Sequence, residues 1–270
     1  MPCLDIAFSP CPNDTFIFHA MISRRVAAEG PDGAFEFTPH LMDVETLNNR
    51  AFSRTYPLTK LSFYAYLLLK DRYSLLDAGA ALGHGCGPLL VSNKRLPRLS
   101  SARVVVPGRY TTAHLLLKLW APEIKHIEVT SFEKILQGVR DGRWDAGVII
   151  HEGRFIYPRY GLTELVDLGR WWEEETRLPI PLGCIAARRD PETQSRRDAL
   201  ASLIRASLRY GQMHPQAARA YIKQHAQEME DSVIDEHINL YVNAYTASLG
   251  SQGLAAVEKL EQAAIRKSIL

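Results

Sequence analysis

The feature that most constrains the fold is a change of pattern at Asp190. Before it, short apolar segments alternate with amphipathic ones, which is typical of strands and helices in a parallel or mixed sheet covered on both faces. After it, every segment has helical periodicity and none predicts a strand. The sequence therefore predicts an α/β body followed by a helical C-terminal tail.

Eight segments of the body are predicted strands: LDIAF, AFEFTPHL, LTKLSF, GPLLVS, ARVVVPG, HIEVTS, DAGVIIH and PIPLGCIAARR. Five segments between them are predicted helices: NDTFIFHAMISRRV, DVETLNNRAF, YAYLLLK, TTAHLLLKLWA and FEKILQGVRDGRW. The chain has 270 residues, a length at which one core begins to give way to two. If the tail packs back onto the N-terminal part, residues 1–92 and 185–270 form a discontinuous first lobe. Residues 93–184 then form an inserted second lobe, with a ligand cleft between the two.

Charge and composition favour a small-molecule partner. The 32 basic and 30 acidic residues leave a formal charge of +2, without the basic stripe that a nucleic-acid-binding protein usually carries. No apolar run approaches the roughly 18 residues of a membrane helix, and no basic leader precedes the first apolar segment. We therefore expect neither nucleic acid nor membrane as a partner, and a cytoplasmic location. The sequence does not predict the oligomeric state.

No motif indicates a cofactor or a metal. The four cysteines are dispersed, and Walker, nucleophile-elbow and zinc signatures are absent from the sequence. The glycines of LGHGCGPLL alternate at Gly83, Gly85 and Gly87, without the spacing of a dinucleotide fingerprint. We interpret them as positions of close backbone approach or hinge flexibility, and we expect no cofactor.

Candidate site residues follow the carboxyl ends of predicted strands, where ligands of open α/β sheets gather. In SPCPND, Ser9 and Pro10 leave the first strand, and Asn13 or Asp14 can cap the next helix. Helix capping alone also explains Asn13 and Asp14. In LTKLSF, Lys60 could pair with a carboxylate while a hydroxyl and backbone N–H groups donate to it. The alternative there is an exposed lysine and another N-cap.

Two further junctions lie in the predicted second lobe. In VPGRYTTA, Gly108 frees the backbone, and Thr111 or Thr112 caps a helix whose first N–H groups suit an anionic or strongly polar ligand group. An ordinary threonine cap is the alternative. In DAGVIIHEGRFIYPRYG, an apolar strand ends at His151, the best general-base candidate among the nine histidines. A structural histidine is the alternative, and the role of Arg154 stays open, as does that of Tyr157.

Five blocks in this order resemble one family. DIAFSPCPNDTFIFHA, DVETLN, YPLTKLS, VPGRYTTA and GVIIHEGRFIYPRYGL are similar to the 1,4-dihydroxy-6-naphthoate synthases of the futalosine route to menaquinone. The resemblance runs from about Asp5 to Arg188. It implies a type-II periplasmic-binding-protein-like fold used as a cofactor-independent lyase. The implied substrate is cyclic dehypoxanthine futalosine, a carboxylate cleaved at a carbon–carbon bond to the naphthoate and a sugar-derived aldehyde.

The resemblance also implies roles for particular residues. His151 corresponds to the family's base. The implied substrate contacts are Asn48, Lys60, Leu61, Ser62, Thr112 and Ala113. We expect the SPCPND turn, with Ser9, Pro10, Asn13 and Asp14, to form one wall of the cleft mainly through its backbone, with Arg154 a further cleft residue.

Two other functions share the expected architecture. A sister enzyme of the same pathway dehydrates chorismate, another cyclic carboxylate. A solute receptor of the same fold would bind a small carboxylate without reacting. The SPCPNDTF, TTAH and VIIHE blocks favour the naphthoate synthase.

Overall fold

A computed structural model of the chain describes residues 3–27, 35–96, 98–226 and 230–270. The chain forms two compact units. The first comprises Met1–Leu82 and Gly183–Ser251, and the second comprises Gly83–Leu182 and Gln252–Leu270. Within the described residues, no helix combines the length and the apolar character needed to cross a membrane.

The strands are β1 (Cys3–Phe8), β2 (Glu36–Leu41), β3 (Leu58–Ser62), β4 (Tyr73–Leu75), β5 (Ala81–Gly83), β6 (Leu89–Ser92), β7 (Arg103–Val106), β8 (His126–Val129), β9 (Ala146–Ile149), β10 (Thr163–Asp167) and β11 (Ile180–Arg188).

The helices of the body are α1 (Pro12–Ile22), α2 (Val44–Phe52), α3 (Phe63–Leu68), α4 (Thr112–Trp120), α5 (Ile135–Arg140), α6 (Gly153–Ile156) and α7 (Leu168–Thr176). Those of the tail are α8 (Pro191–Ser195), α9 (Arg197–Met213), α10 (Pro215–His225), α11 (Asp231–Tyr241), α12 (Ala244–Ala247) and α13 (Gly250–Arg266). Short 3₁₀ turns cover Leu99–Ser101, Phe132–Lys134 and Tyr157–Tyr160.

The sheet of the first unit brings two predicted junctions to one edge. Its strand order is β2-β1-β3-β11-β4, with β5 paired to β11. β1 and β3 are parallel, with Ile6 opposite Leu58, and β11 runs antiparallel to β3. Since parallel strands end on the same side of a sheet, the turn after Phe8 and the end of β3 lie at a common edge.

Apolar side chains of the tail complete the core of the first unit. Phe16 and Ile17 of α1 share one buried cluster with Ile204, Ile222 and Ile234 from α9, α10 and α11. The helical tail is therefore confirmed for the described residues after Asp190. It supplies one face of the core on which α1 rests.

The second unit has a five-stranded sheet in the order β10-β6-β9-β7-β8. β7 is parallel to β9, with Val105 opposite Gly147, while β6 runs antiparallel to β9. Its core includes Val105, Ile135 and Trp144. The loops that follow β7 and β9 consequently leave the same edge of this sheet, and they carry the predicted Gly108–Thr112 and His151 junctions.

Every predicted strand of the body is present, although its ends differ by a few residues. Five elements were not predicted: β4, β5, β10, α6 and α7. β10 is mostly exposed and has no apolar run, so its sequence does not stand out. The lobe boundaries at 92 and 184 stay a prediction; in the structure β6 pairs with strands of the second unit, and residues 252–270 are assigned to that unit.

Candidate functional site

The SPCPND turn of the first unit is organised around the carboxylate of Asp14, which has no exposed surface. Its Oδ2 accepts hydrogen bonds from the hydroxyl of Ser9 at 2.7 Å and from the Ser9 N–H at 3.2 Å. Its Oδ1 accepts from the side-chain amide of Asn13 at 2.9 Å. Pro10, between them, is half-buried. The turn is thus held by side chains as well as by its prolines.

Lys60 belongs to the same cluster. Its ammonium donates to Asp14 Oδ1 at 2.6 Å, and only 6% of its side chain is exposed. The exposed-lysine alternative is wrong, because β3 is buried along its whole length and directs Lys60 inward. A buried lysine needs such a partner, since an isolated ammonium away from water is costly.

The capping alternative for the same turn is also wrong. The N-cap of α1 is Cys11, and its side chain makes no capping bond. Asp14 lies in the first helical turn, but its carboxylate points to Ser9, Asn13 and Lys60 and does not cap the helix. The Asn13 side chain does not cap α1 either, because its Oδ1 lies 3.0 Å from Nε2 of His237 on α11.

Asn48 and Ser62 form a second pair in the first unit. The amide oxygen of Asn48 accepts from the Ser62 N–H at 2.9 Å, and its amide nitrogen donates to the Ser62 hydroxyl oxygen at 3.1 Å. Both residues are buried, and Leu61 between Lys60 and Ser62 is fully buried. Ser62 is the N-cap of α3 but makes no side-chain capping bond, because its hydroxyl is turned to Asn48.

In the second unit, the start of α4 is a capped helix N-terminus. Thr111 is the N-cap: its hydroxyl donates to Gly108 O at 3.0 Å and accepts from the His114 N–H at 3.3 Å. The Thr112 hydroxyl donates to Leu182 O at 2.7 Å, and Ala113 is buried. The hydroxyls of Thr111 and Thr112 thus already donate to backbone carbonyls, and backbone N–H groups in the first turn of a helix suit an anion.

Burial fixes the charge state of His114 in this turn. Its Nδ1 lies 2.9 Å from Arg109 O, and removal from water, more than the nearby charges of Lys118 and Arg109, lowers the pKa of His114 to about 4. At neutral pH the imidazole is uncharged, so Nδ1 donates to the Arg109 carbonyl.

His151 lies two residues beyond the end of β9, as predicted from the sequence. It is half-buried, has a φ of +55°, and its ring makes an edge contact with Phe132 at a centroid distance of 5.1 Å. A left-handed conformation is uncommon for a residue other than glycine, and such residues are enriched at functional sites. The side chain is not enclosed in apolar core.

Arg154 is held within the second unit by two strong hydrogen bonds. Its guanidinium donates to Gly87 O at 2.6 Å and to Asp167 Oδ2 at 2.7 Å, and its side chain is 17% exposed. Asp167 is also the N-cap of α7, where it accepts from the Gly169 N–H at 2.9 Å. These contacts give Arg154 a structural role that the sequence left open.

Comparison with known proteins identifies the chain. Residues 4–266 match the family described as menaquinone biosynthesis. The chain belongs to the menaquinone biosynthesis family. It is 49% identical over 260 residues to the 1,4-dihydroxy-6-naphthoate synthase of Thermus thermophilus, covering 96% of this chain and 93% of that protein. It is 43% identical to the Streptomyces coelicolor protein of the same name, with 95% and 91% covered.

Solved structures agree with this assignment. A crystal structure of a protein from Archaeoglobus fulgidus superposes with a TM-score of 0.92 at 36% identity, covering 99% of this chain and 98% of that one. The periplasmic aliphatic sulphonate-binding protein of Escherichia coli gives a TM-score of 0.62 at 12% identity, covering 100% and 89%. The predicted resemblance and the periplasmic-binding-protein-like fold are confirmed, and this menaquinone biosynthesis family member is an enzyme.

His237, which contacts the buried cluster of Ser9, Asn13, Asp14 and Lys60 through Asn13, was not predicted as a site residue. It lies in the helical tail, 224 positions from Asn13, and is 1% exposed. No local pattern marks it, because its partner is set only by how α11 packs on α1. Within the described ranges, no group of three or more His, Cys, Asp or Glu residues could hold a metal ion.

Proposed function

We propose that this chain is a 1,4-dihydroxy-6-naphthoate synthase, a cytoplasmic carbon–carbon lyase of the futalosine route to menaquinone that needs no cofactor. Its substrate is cyclic dehypoxanthine futalosine, and its products are the naphthoate and a sugar-derived aldehyde. The observation that carries the proposal is the identity of 49% and 43%, over nearly the whole chain, to two proteins named for that activity.

His151 is the general base of this reaction. It removes a hydroxyl proton from the substrate, the oxygen's electrons form a carbonyl, and the adjacent carbon–carbon bond breaks. The developing aromatic ring of the product takes up the bond's electron pair. A neutral imidazole can accept a proton near neutral pH, and a positioned base typically contributes about 10²–10⁴-fold in rate. The half-buried position of His151 after β9 supports this role.

The substrate carboxylate is held by the start of α4 and not by Lys60. Asp14 lies 2.6 Å from the Lys60 ammonium, so the pair carries no net charge for an anion. Backbone N–H groups at Thr112 and Ala113 belong to the first turn of a nine-residue helix, whose positive end attracts anions. Thr112 and Ala113 therefore contribute main-chain donors, while the Thr112 hydroxyl stays on Leu182 O.

Asn48 and Ser62 contact the substrate from the first unit, next to the Lys60–Leu61 segment. Since the Ser62 oxygen accepts from Asn48, its hydroxyl hydrogen is directed to another acceptor. A substrate oxygen is that acceptor in our proposal, with Leu61 fixing the backbone between Lys60 and Ser62.

The test is to incubate purified protein with cyclic dehypoxanthine futalosine and to follow naphthoate by its absorbance and mass. Naphthoate formation supports the synthase. Consumption of chorismate in a parallel reaction would identify the sister enzyme, and tight binding of the cyclic substrate without turnover would identify a receptor.

The role of His151 is tested with a matched pair of histidine variants. His151→Ala should lower kcat by about 10²–10⁴-fold. His126→Ala, at an exposed position on β8 of the same unit, should keep wild-type turnover. A His151→Ala enzyme that turns over like wild type would remove His151 from the mechanism.

A further inference from the structure

A chain of hydrogen bonds runs from the tail helix α11 to strand β3 in the first unit. Nε2 of His237 lies 3.0 Å from Oδ1 of Asn13, whose Nδ2 donates to Asp14 Oδ1 at 2.9 Å. A carboxylate can only accept, so the amide nitrogen of Asn13 must face Asp14 and its oxygen must face His237. His237 therefore carries its hydrogen on Nε2 and donates it.

Asp14 has no acceptor capacity left for a ligand. A carboxylate offers about four lone-pair positions. Here Oδ1 accepts from Asn13 and from Lys60, and Oδ2 accepts from the hydroxyl and the N–H of Ser9. Asp14 is consequently excluded as a catalytic base. Its four bonds instead fix the position of its partners.

Lys60 still has donor capacity. An ammonium has three hydrogens, and Asp14 takes one of them. The described part of the chain places no second acceptor within hydrogen-bond distance of that nitrogen, although the side chain is only 6% exposed. An oxygen placed beside the ammonium can therefore accept one of the two remaining hydrogens.

The stem of Lys60 is also confined. A Cβ placed on Gly183 of β11 would lie 3.0 Å from Lys60 Cε and 3.2 Å from Leu61 O. The absence of a side chain at Gly183 therefore leaves room for the lysine stem beside β11. Together, Gly183 and Asp14 restrict where the ammonium can lie.

We propose that Asp14, oriented by Asn13 and His237, is a positioning residue that makes Lys60 a charge-compensated hydrogen-bond donor to an uncharged oxygen of the substrate. This inference rests on the proposed synthase function. A hydroxyl or carbonyl oxygen fits better than a carboxylate, because a second anion would lie close to Asp14. His237 acts at a distance, through the amide of Asn13.

The inference predicts a particular kinetic signature. Asp14→Asn and His237→Leu each displace the same ammonium, so each should raise KM for cyclic dehypoxanthine futalosine by about tenfold while kcat changes little. The double variant should raise KM no further than the larger single effect, because both changes act through Lys60. His237→Gln retains an N–H donor and should restore KM to within about threefold of wild type.

The matched control is His225→Leu, which removes another tail histidine whose ring contacts Tyr221 and which lies outside the network. Its KM should equal that of wild type. Thermal unfolding of every variant is recorded alongside, because a purely structural network would lower the melting temperature without changing KM. Unchanged KM in His237→Leu, multiplicative effects in the double variant, or no rescue by His237→Gln would overturn the inference.

Failure of the proposed function gives a different result. If wild-type enzyme forms no naphthoate, the synthase proposal fails before any variant is compared. If wild type turns the substrate over and the variants show unchanged KM, only the positioning inference fails. Calorimetry measures binding of the cyclic substrate without turnover, in His151→Ala and in His151→Ala combined with His237→Leu. Weaker binding by the combined His151→Ala and His237→Leu variant than by His151→Ala alone supports the inference.

Discussion

The Asp14 carboxylate accepts a hydrogen bond from the Lys60 ammonium, with 2.6 Å between Oδ1 and Nζ. The side chains of Asp14 and Lys60 are 0% and 6% exposed. Removing one member of a buried ion pair leaves the other charge uncompensated, which typically costs about 3–5 kcal/mol, whereas replacing both can be close to neutral. Lys60→Met should therefore lower the free energy of unfolding by about that amount.

Asp14→Asn combined with Lys60→Met removes both charges and should recover much of that loss, because Asn still accepts from Ser9. Urea unfolding at pH 7 of the wild type, Lys60→Met and the double variant measures the difference. A double variant less stable than Lys60→Met alone would show that the charge pairing is not what stabilises this cluster.

The left-handed backbone at His151 separates the role of the imidazole from the role of the main chain. A φ of +55° costs a residue with a Cβ roughly 1–2 kcal/mol, a cost that glycine does not have. His151→Gly should thus be about 1 kcal/mol more stable than His151→Ala, while both lack the base. Chemical denaturation of the two variants tests this; equal stabilities would mean that the conformation is not strained.

Close packing of Gly87 against Gly169 predicts a strong steric effect. A Cβ on Gly87 would lie 2.3 Å from Gly169 Cα and 2.4 Å from its nitrogen, both backbone atoms that cannot rotate away. Gly87→Ala should destabilise by about 3 kcal/mol or more and should disturb the Arg154 contact with Gly87 O.

The neighbouring Gly85 provides the control, because a Cβ there meets nothing within 4 Å and only its φ of +65° opposes a side chain. Gly85→Ala should cost roughly 1 kcal/mol. Thermal unfolding compares the two variants, and Gly87→Ala should have the lower melting temperature. Similar melting temperatures would contradict the packing explanation.

Most of the fold could be predicted from local patterns. Apolar runs such as those of β1 and β7 mark buried strands, and the loss of strand signals after Asp190 marks the helical tail. β10 was not predicted because three of its five residues are exposed and its sequence has no apolar run. The glycines of the LGHGCGPLL segment were interpreted as a close approach or a hinge, and for Gly87 the close approach is confirmed.

The site was predictable only as far as strand ends could be located. His151 and Thr112 follow strands, so their positions were available from the sequence. What the sequence could not supply was the choice of partner. From local sequence alone, Lys60 can be interpreted as an exposed residue and Asp14 as a helix cap. In the structure the two side chains contact each other although they are 46 positions apart. The same holds for Asn13 and His237, whose contact depends on the packing of α11.

The buried, uncharged state of His114 makes stability depend on pH. Burial lowers its pKa to about 4 in the folded chain, whereas an unfolded histidine has a pKa near 6.5, so between these values the unfolded state binds more protons. The contribution is fully present above about pH 6.5 and is lost as the pH falls towards 4, amounting to roughly 3 kcal/mol. His114→Gln, which keeps a donor for Arg109 O, should flatten the pH dependence of the unfolding free energy in this window. Urea titrations at pH 7, 6, 5 and 4.5 compare the two proteins, and parallel curves would show that His114 is not the group that titrates.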